Sequence, residues 1–161
     1  MSDRTLFVLT LVTALGCGLT AGAFYAFSSF VMRALGNLPA PQGVAAMQSI
    51  NVQAPTPGFM LGFAGTAVLS VGLGGWAALH LDEPGAGWRL AGCAVYVVGC
   101  FALTIAYHVP RNDRLATFDP GSADAARYWS TYLVEWTRMN HVRMLAALAA
   151  CGMLIMAVRA S

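Results

Sequence analysis

Two short stretches hold most of the ionisable chemistry of this chain. "YHVPRNDRLA", residues 107–116, closes a long apolar run and brings His108, Arg111, Asn112, Asp113 and Arg114 close together. "EWTRMNHVR", residues 135–143, opens another and supplies Glu135, Arg138, Asn140, His141 and Arg143. Three chemistries suit this set. Imidazole titrates nearest neutral pH, so His108 or His141 could act as a general base, with Arg143, Asn112 and Asn140 stabilising an oxyanion. His108, His141, Asp113 and Glu135 are adequate ligands for a transition metal. Their spacing is poor for it, because Glu135 and His141 fall on different helix faces and no HxxxH or ExxH pattern occurs. The third reading is structural: Asp113 and Glu135 neutralise Arg143 and its neighbours, and the asparagines satisfy backbone groups. Organic and haem cofactor motifs are missing, with neither GxGxxG nor CxxCH, and no spacing recommends His80, His108 or His141 as a haem ligand.

The composition says where such chemistry must work. The 161 residues are 58% hydrophobic and only 10% charged, against roughly 25% charged in a soluble domain. That makes the chain a single integral membrane domain, 1–161, expected in a bacterial cytoplasmic membrane. A formal charge of +2 gives no case for nucleic-acid binding, and membrane lipids are the expected surroundings. Cys17, Cys93, Cys100 and Cys151 lie inside apolar runs with no CxxC, which suits small buried hydrophobes better than a redox dithiol.

Four segments are apolar enough to span: residues 5–32, 59–79, 88–109 and 144–158. The expected fold is therefore all-α, a transmembrane four-helix bundle. The first segment runs on well past Cys17, and Ala14 stands where a lipoprotein leader usually has leucine, so it reads as a span rather than a cleaved leader. The fourth is too short, since residues 144–158 cover about 22 Å of a ~30 Å core. To span, it must start earlier, which draws Asn140, His141 and Arg143 to the membrane boundary. A charge there should face the bundle and have a partner; Asp113 or Glu135 is the expected partner of Arg143.

Four spans put both termini on one side (side A), with the short turn 80–87. Both long connections, 33–58 and 110–141, fall on side B, and long connections in a bundle argue for function. Counting Arg33, Arg111, Arg114, Arg127, Arg138 and Arg143 against Arg4, Arg89 and Arg159, the positive-inside rule puts side B in the cytoplasm. Within the second connection, "ADAARYWSTYLVEWTRMNHVR" lacks Gly and Pro. It reads as a helix capped by Ser122 and running into the fourth span, with Trp129, Tyr132, Trp136, Asn140 and Arg143 on one stripe. That stripe is either an interfacial aromatic belt or the wall of a pocket. "PAPQGVAAMQSINVQ" is a short amphipathic candidate with Gln48 and Asn51 on one face. The four-spaced pairs Gly18/Gly22 and Gly58/Gly62 allow close helix approach, within one copy or in a homo-oligomer.

"AGAFYAFSSFVMRAL", "MQSIN", "HVPRNDRLA" and "WSTYLVEWTRMNHVR" together resemble the anthrone-oxygenase-like family of small four-helix membrane proteins. The resemblance covers most of the chain. It rests on Phe27 and Ser28; on Met47, Gln48 and Asn51; on Val109, Pro110, Asn112, Asp113, Leu115 and Ala116; and on Trp129, Tyr132, Trp136, Asn140, His141 and Arg143. Fungal members are linked to the oxidation of anthrones to anthraquinones with dioxygen. The resemblance implies an oxygenase acting on a lipophilic phenol, anthrone or quinol without a cofactor. His141 would be the base, since the family pattern does not require His108, assisted by Asp113, Asn112, Asn140 and Arg143. Phe24, Tyr25, Ser28, Asn51, Trp129, Tyr132 and Trp136 would line the substrate site. A non-catalytic lipophilic-ligand binder or accessory subunit and a metalloenzyme stand as the alternatives.

Overall fold

The computed structural model describes residues 1–160, which form helices and short turns with no strand among them. Four helices are long and apolar enough to cross a membrane: α1 (Asp3–Gly36), α3 (Pro57–Leu79), α4 (Ala86–Ala116) and α5 (Ala123–Arg159). A shorter helix, α2 (Ala40–Gln53), links α1 to α3 on side B. Large apolar side chains such as Leu15, Leu19, Leu61, Val68, Val98 and Leu145 point outward. A soluble protein rarely exposes so much apolar surface; the chain is an integral membrane protein.

Local chemistry sets the helix ends. Ser2, Thr56 and Ser122 cap α1, α3 and α5, each accepting a backbone N–H three residues on. Gly85 turns the chain into α4 at φ 76°, a left-handed conformation that side chains disfavour. Inside the bundle, Thr10 and Thr13 return their hydroxyls to Leu6 O and Leu9 O, so these buried polar groups keep partners in an apolar medium.

The fourth span begins earlier than residue 144, as its short apolar core requires. α5 has 37 residues and is about 55 Å long, so its first third stands beyond the hydrocarbon. The second connection differs from expectation. "VPRNDRLA" is helical and continues α4 to Ala116, which leaves only residues 117–122 between α4 and α5. Pro110 permits this because it sits in the first turn after a wide π-type stretch, Thr104–His108, where a missing N–H costs least. Similar stretches occur at Phe27–Val31, Leu61–Gly65 and Tyr96–Ala102.

Two buried clusters stack along the bundle. One fills the apolar core around Cys17, Phe63, Tyr96 and Leu154. The other, on side B, joins Met32, Val44, Met47, Leu115, Trp129, Tyr132 and Trp136 from α1, α2, α4 and α5. Tyr96 donates to Phe63 O at 3.0 Å, fastening the π-type stretches of α3 and α4. At side A, buried Arg89 donates to Thr10 Oγ1 and Pro84 O. Of the glycine pairs, Gly18 faces Cys151 and Gly62 faces Leu19, while Gly22 and Gly58 face open space.

Gly43 is where α2 meets the rest. A Cβ there would lie 2.9 Å from Leu35 O and 2.9 Å from the Trp129 ring. Gly43→Ala should destabilise by about 1–3 kcal/mol, as overpacking generally does. Thermal unfolding in detergent checks it, with Gly72→Ala as control. Gly72 has nothing within 4 Å, so that change should leave the midpoint unchanged or raise it; equal effects would remove the contact from the explanation.

Candidate functional site

The seam between the two clusters is polar. On α4, Thr104, His108 and Asn112 recur every four residues and so share a face. His108 is wholly buried. Its ring stands edge-on to Trp136, centroids 5.1 Å apart; the backbone of Leu103 and of Trp136 lies beside it, but neither ring nitrogen makes a well-formed hydrogen bond. Burying an imidazole this way is costly, and orphaned groups of this kind mark a missing ligand or a functional role.

On α5, Trp129, Tyr132, Trp136, Asn140 and Arg143 are all buried; the stripe faces inward rather than forming a lipid-facing belt. Asn112 Oδ1 accepts from Tyr132 Oη at 2.7 Å and from Trp136 Nε1 at 3.0 Å. Asn51 of α2 reaches the Tyr132 hydroxyl with its side-chain amide, whose buried Nδ2 makes no well-formed hydrogen bond. Gln48, one turn earlier, donates to Leu115 O and Phe118 O at 2.9 and 3.0 Å. It thereby ties α2 to the end of α4 and to the turn that follows it.

On α1, the backbone widens at Phe27. Asn140 Nδ2 inserts there, donating to Phe24 O at 2.8 Å and Ser28 Oγ at 2.7 Å. Its own oxygen accepts from Arg143 Nε at 2.8 Å, while Arg143 Nη1 donates to Thr104 Oγ1 at 3.2 Å. The guanidinium lies 3.8 Å over the Phe24 ring and 4.9 Å from that of Trp136. It is a buried cation held by neutral acceptors and π-faces, with no carboxylate in contact.

The expected ion pair of Arg143 with Asp113 or Glu135 is therefore corrected. Asp113 is exposed, and Glu135 pairs with Arg111 at 3.4 Å on the surface. A carboxylate would have to be desolvated to reach Arg143, whereas Asn140 and Thr104 already lie beside it. Of the residues singled out in the sequence, Phe24, Ser28, Asn51, Asn112, Trp129, Tyr132, Trp136, Asn140 and Arg143 come together. Tyr25, Asp113, Glu135 and His141 stand at the surface. His141 follows Asn140 directly, and one residue of helical rotation carries it to the outer face of α5. The metal set His108, His141, Asp113 and Glu135 is not assembled; among the described residues no three His, Cys, Asp or Glu side chains are placed to hold a metal ion. Sequence reasoning missed Thr104, although its four-residue spacing from His108 and Asn112 carried the signal.

The family model described as "Anthrone oxygenase" matches residues 59–153, more than half of the chain. The chain belongs to the anthrone oxygenase family. No curated protein and no solved structure matches it. The region matched to the anthrone oxygenase family spans α3, α4 and most of α5, and so holds His108, Asn112, Tyr132, Trp136, Asn140 and Arg143. Phe24, Ser28 and Asn51 reach the same seam from outside it.

Asn112 is the acceptor on which two buried donors depend. Asn112→Leu should lower stability by about 1–3 kcal/mol for each donor left unpaired. Adding Tyr132→Phe to Asn112→Leu should cost less than Tyr132→Phe costs alone, because the hydroxyl has already lost its partner. Thermal unfolding of the four proteins in detergent checks this, and additive losses would remove the coupling.

Proposed function

We propose that the seam binds a flat, lipophilic aromatic of the anthrone type and oxidises it with dioxygen, and that His108 rather than His141 is the base. The observation that carries this reading is the meeting, in one buried place, of a cation without a carboxylate and of an imidazole and an amide that make no well-formed hydrogen bond. Family membership supports the substrate class. Phe24, Trp136 and Tyr132 supply aromatic faces around the polar groups, as a site for a hydrophobic ring system requires.

His108 takes one proton from the benzylic carbon, and the negative charge delocalises onto the oxygen across the ring. Arg143, held in place by Asn140 and Thr104, stabilises that oxyanion; a fixed charge in a dry site is strong and needs no reorganisation. The carbon gives its electron pair to dioxygen, forming a C–O bond, and the peroxide takes the proton back from His108. Loss of the second benzylic proton then breaks the O–O bond, leaving a carbonyl and releasing water. Both hydrogens and both oxygen atoms are accounted for, so dioxygen suffices as the oxidant and the scheme uses no cofactor. Trp129 and Asn51 shape the side-B wall, and Ser28 and Asn112 hold Asn140 and Trp136 in place.

Purified protein in detergent should consume one dioxygen per anthrone converted to anthraquinone, with the rate surviving a chelator. General bases contribute 10²–10⁴-fold, so His108→Asn should lower kcat by at least about 100-fold while His141→Ala stays within about twofold. Arg143→Met should cost about 10²–10³-fold in kcat and also lower the thermal midpoint, because it leaves the buried Asn140 Oδ1 without its donor. A large loss in His141→Ala with none in His108→Asn would reverse the assignment. Anthrone binding without oxygen uptake would make the protein a binder, and activity lost to chelation would make it a metalloenzyme.

A further inference from the structure

A second site adjoins the seam and shares Ser28 with it. Where α1 and α5 reach side B, they enclose a groove of about 550 Å³. Its polar lining includes Ser29, Arg33, Asn37, Thr137, Arg138 and His141, and no carboxylate lines it. Arg33, Arg138 and His141 are exposed. Among the described residues none of these three side chains makes an ion pair or a hydrogen bond. The other side-B arginines at or near the surface differ: half-buried Arg111 pairs with Glu135, Arg127 with Asp124, and Arg114 lies 4.7 Å from the Tyr128 ring.

Height and surroundings narrow the ligand. The groove sits where α5 passes from polar residues to its outward apolar run, Leu145 and Leu148, and beside exposed Phe30 and Val134. That is the level of the headgroups on side B, with hydrocarbon immediately next to it. Two arginines converge on one concavity, and guanidinium groups bind phosphate oxygens through paired donors. Ser29, Asn37 and Thr137 add hydroxyl and amide groups suited to a polyol headgroup.

We infer that this groove is a binding site for an anionic glycerophospholipid, its phosphodiester held by Arg33 and Arg138 and its acyl chains lying along Phe30 and Leu145. A bilayer source fits better than free phosphate because the groove adjoins the apolar exterior. The assignment is independent of the oxygenase reading, since none of its cationic residues belongs to the seam.

Native mass spectrometry of the protein in mild detergent tests it, comparing phosphatidylglycerol with phosphatidylcholine of the same acyl chains. Phosphatidylglycerol should be retained at least about fivefold better, and the double variant Arg33→Gln/Arg138→Gln should lose that preference. The control Arg111→Gln/Arg114→Gln should keep it. Equal retention of the two lipids, a preference that survives in the first variant, or an equal loss in the control would each overturn the site. Displacement of phosphatidylglycerol by millimolar inorganic phosphate would assign the groove to a free anion and overturn the lipid assignment. All four residues replaced are at or near the surface of side B, so both variants should unfold thermally close to the parent. A variant that does not is replaced by the single Arg33→Gln and Arg138→Gln changes, each of which should weaken the preference; if neither does, the assignment fails.

Discussion

Arg143 carries a full charge into the interior of a membrane bundle and meets no carboxylate there. Desolvating a guanidinium is expensive, and it is tolerated only when every direction around it is answered. Here Asn140 and Thr104 accept from it and Phe24 and Trp136 offer ring faces. Those four residues come from three spans, so the charge holds α1, α4 and α5 to one arrangement. Remove any answering group and a buried donor is stranded.

The same requirement explains the irregular backbone. In hydrocarbon, each carbonyl released from the helical ladder needs a partner from elsewhere. Where α1 widens, Asn140 supplies it to Phe24 O; where α3 widens, Tyr96 supplies it to Phe63 O. π-type turns are uncommon and gather at functional sites. Two of them border the seam and contain Ser28 and His108. The distortions and the side chains that satisfy them therefore belong to one construction, within which the His108 ring nitrogens and Asn51 Nδ2 make no well-formed hydrogen bond.

Much of this was legible in the sequence. The short apolar core of the last span required an early start, and the structure supplies a helix from Ala123 capped by Ser122. The stripe Trp129–Arg143 followed from helical spacing, and the cost of placing an arginine in lipid pointed Arg143 into the bundle, while the spacing left the aromatics open between an interfacial belt and a pocket wall. What could not be read was which groups answer the arginine. Opposite charge suggests acids, but Asp113 and Glu135 lie on faces that the wider backbone of α4 and the length of α5 turn toward water. His141 illustrates the same limit. Adjacent to Asn140 in sequence, it faces away from the seam, while His108, distant in sequence, lies within it. Proline misled in the opposite direction: "VPRN" reads as the end of a helix, yet after a wide turn it is the first turn of another stretch.

Gln48 has a further consequence, for the order in which the protein is made. Its partners, Leu115 O and Phe118 O, lie 67 and 70 residues further along the chain. A chain emerging from its N-terminus presents α2 before the helix end it binds exists, and before the Trp129 ring that lies against Gly43. Until α4 has crossed and α5 has docked, α2 has only α1 to rest on and its amide must be satisfied by water or headgroups at the surface. Side B is thus the last part of the molecule to close, and the seam becomes a sealed compartment only when synthesis is nearly complete. A nascent protein of this design exposes its polar interior to the membrane surface for most of its assembly.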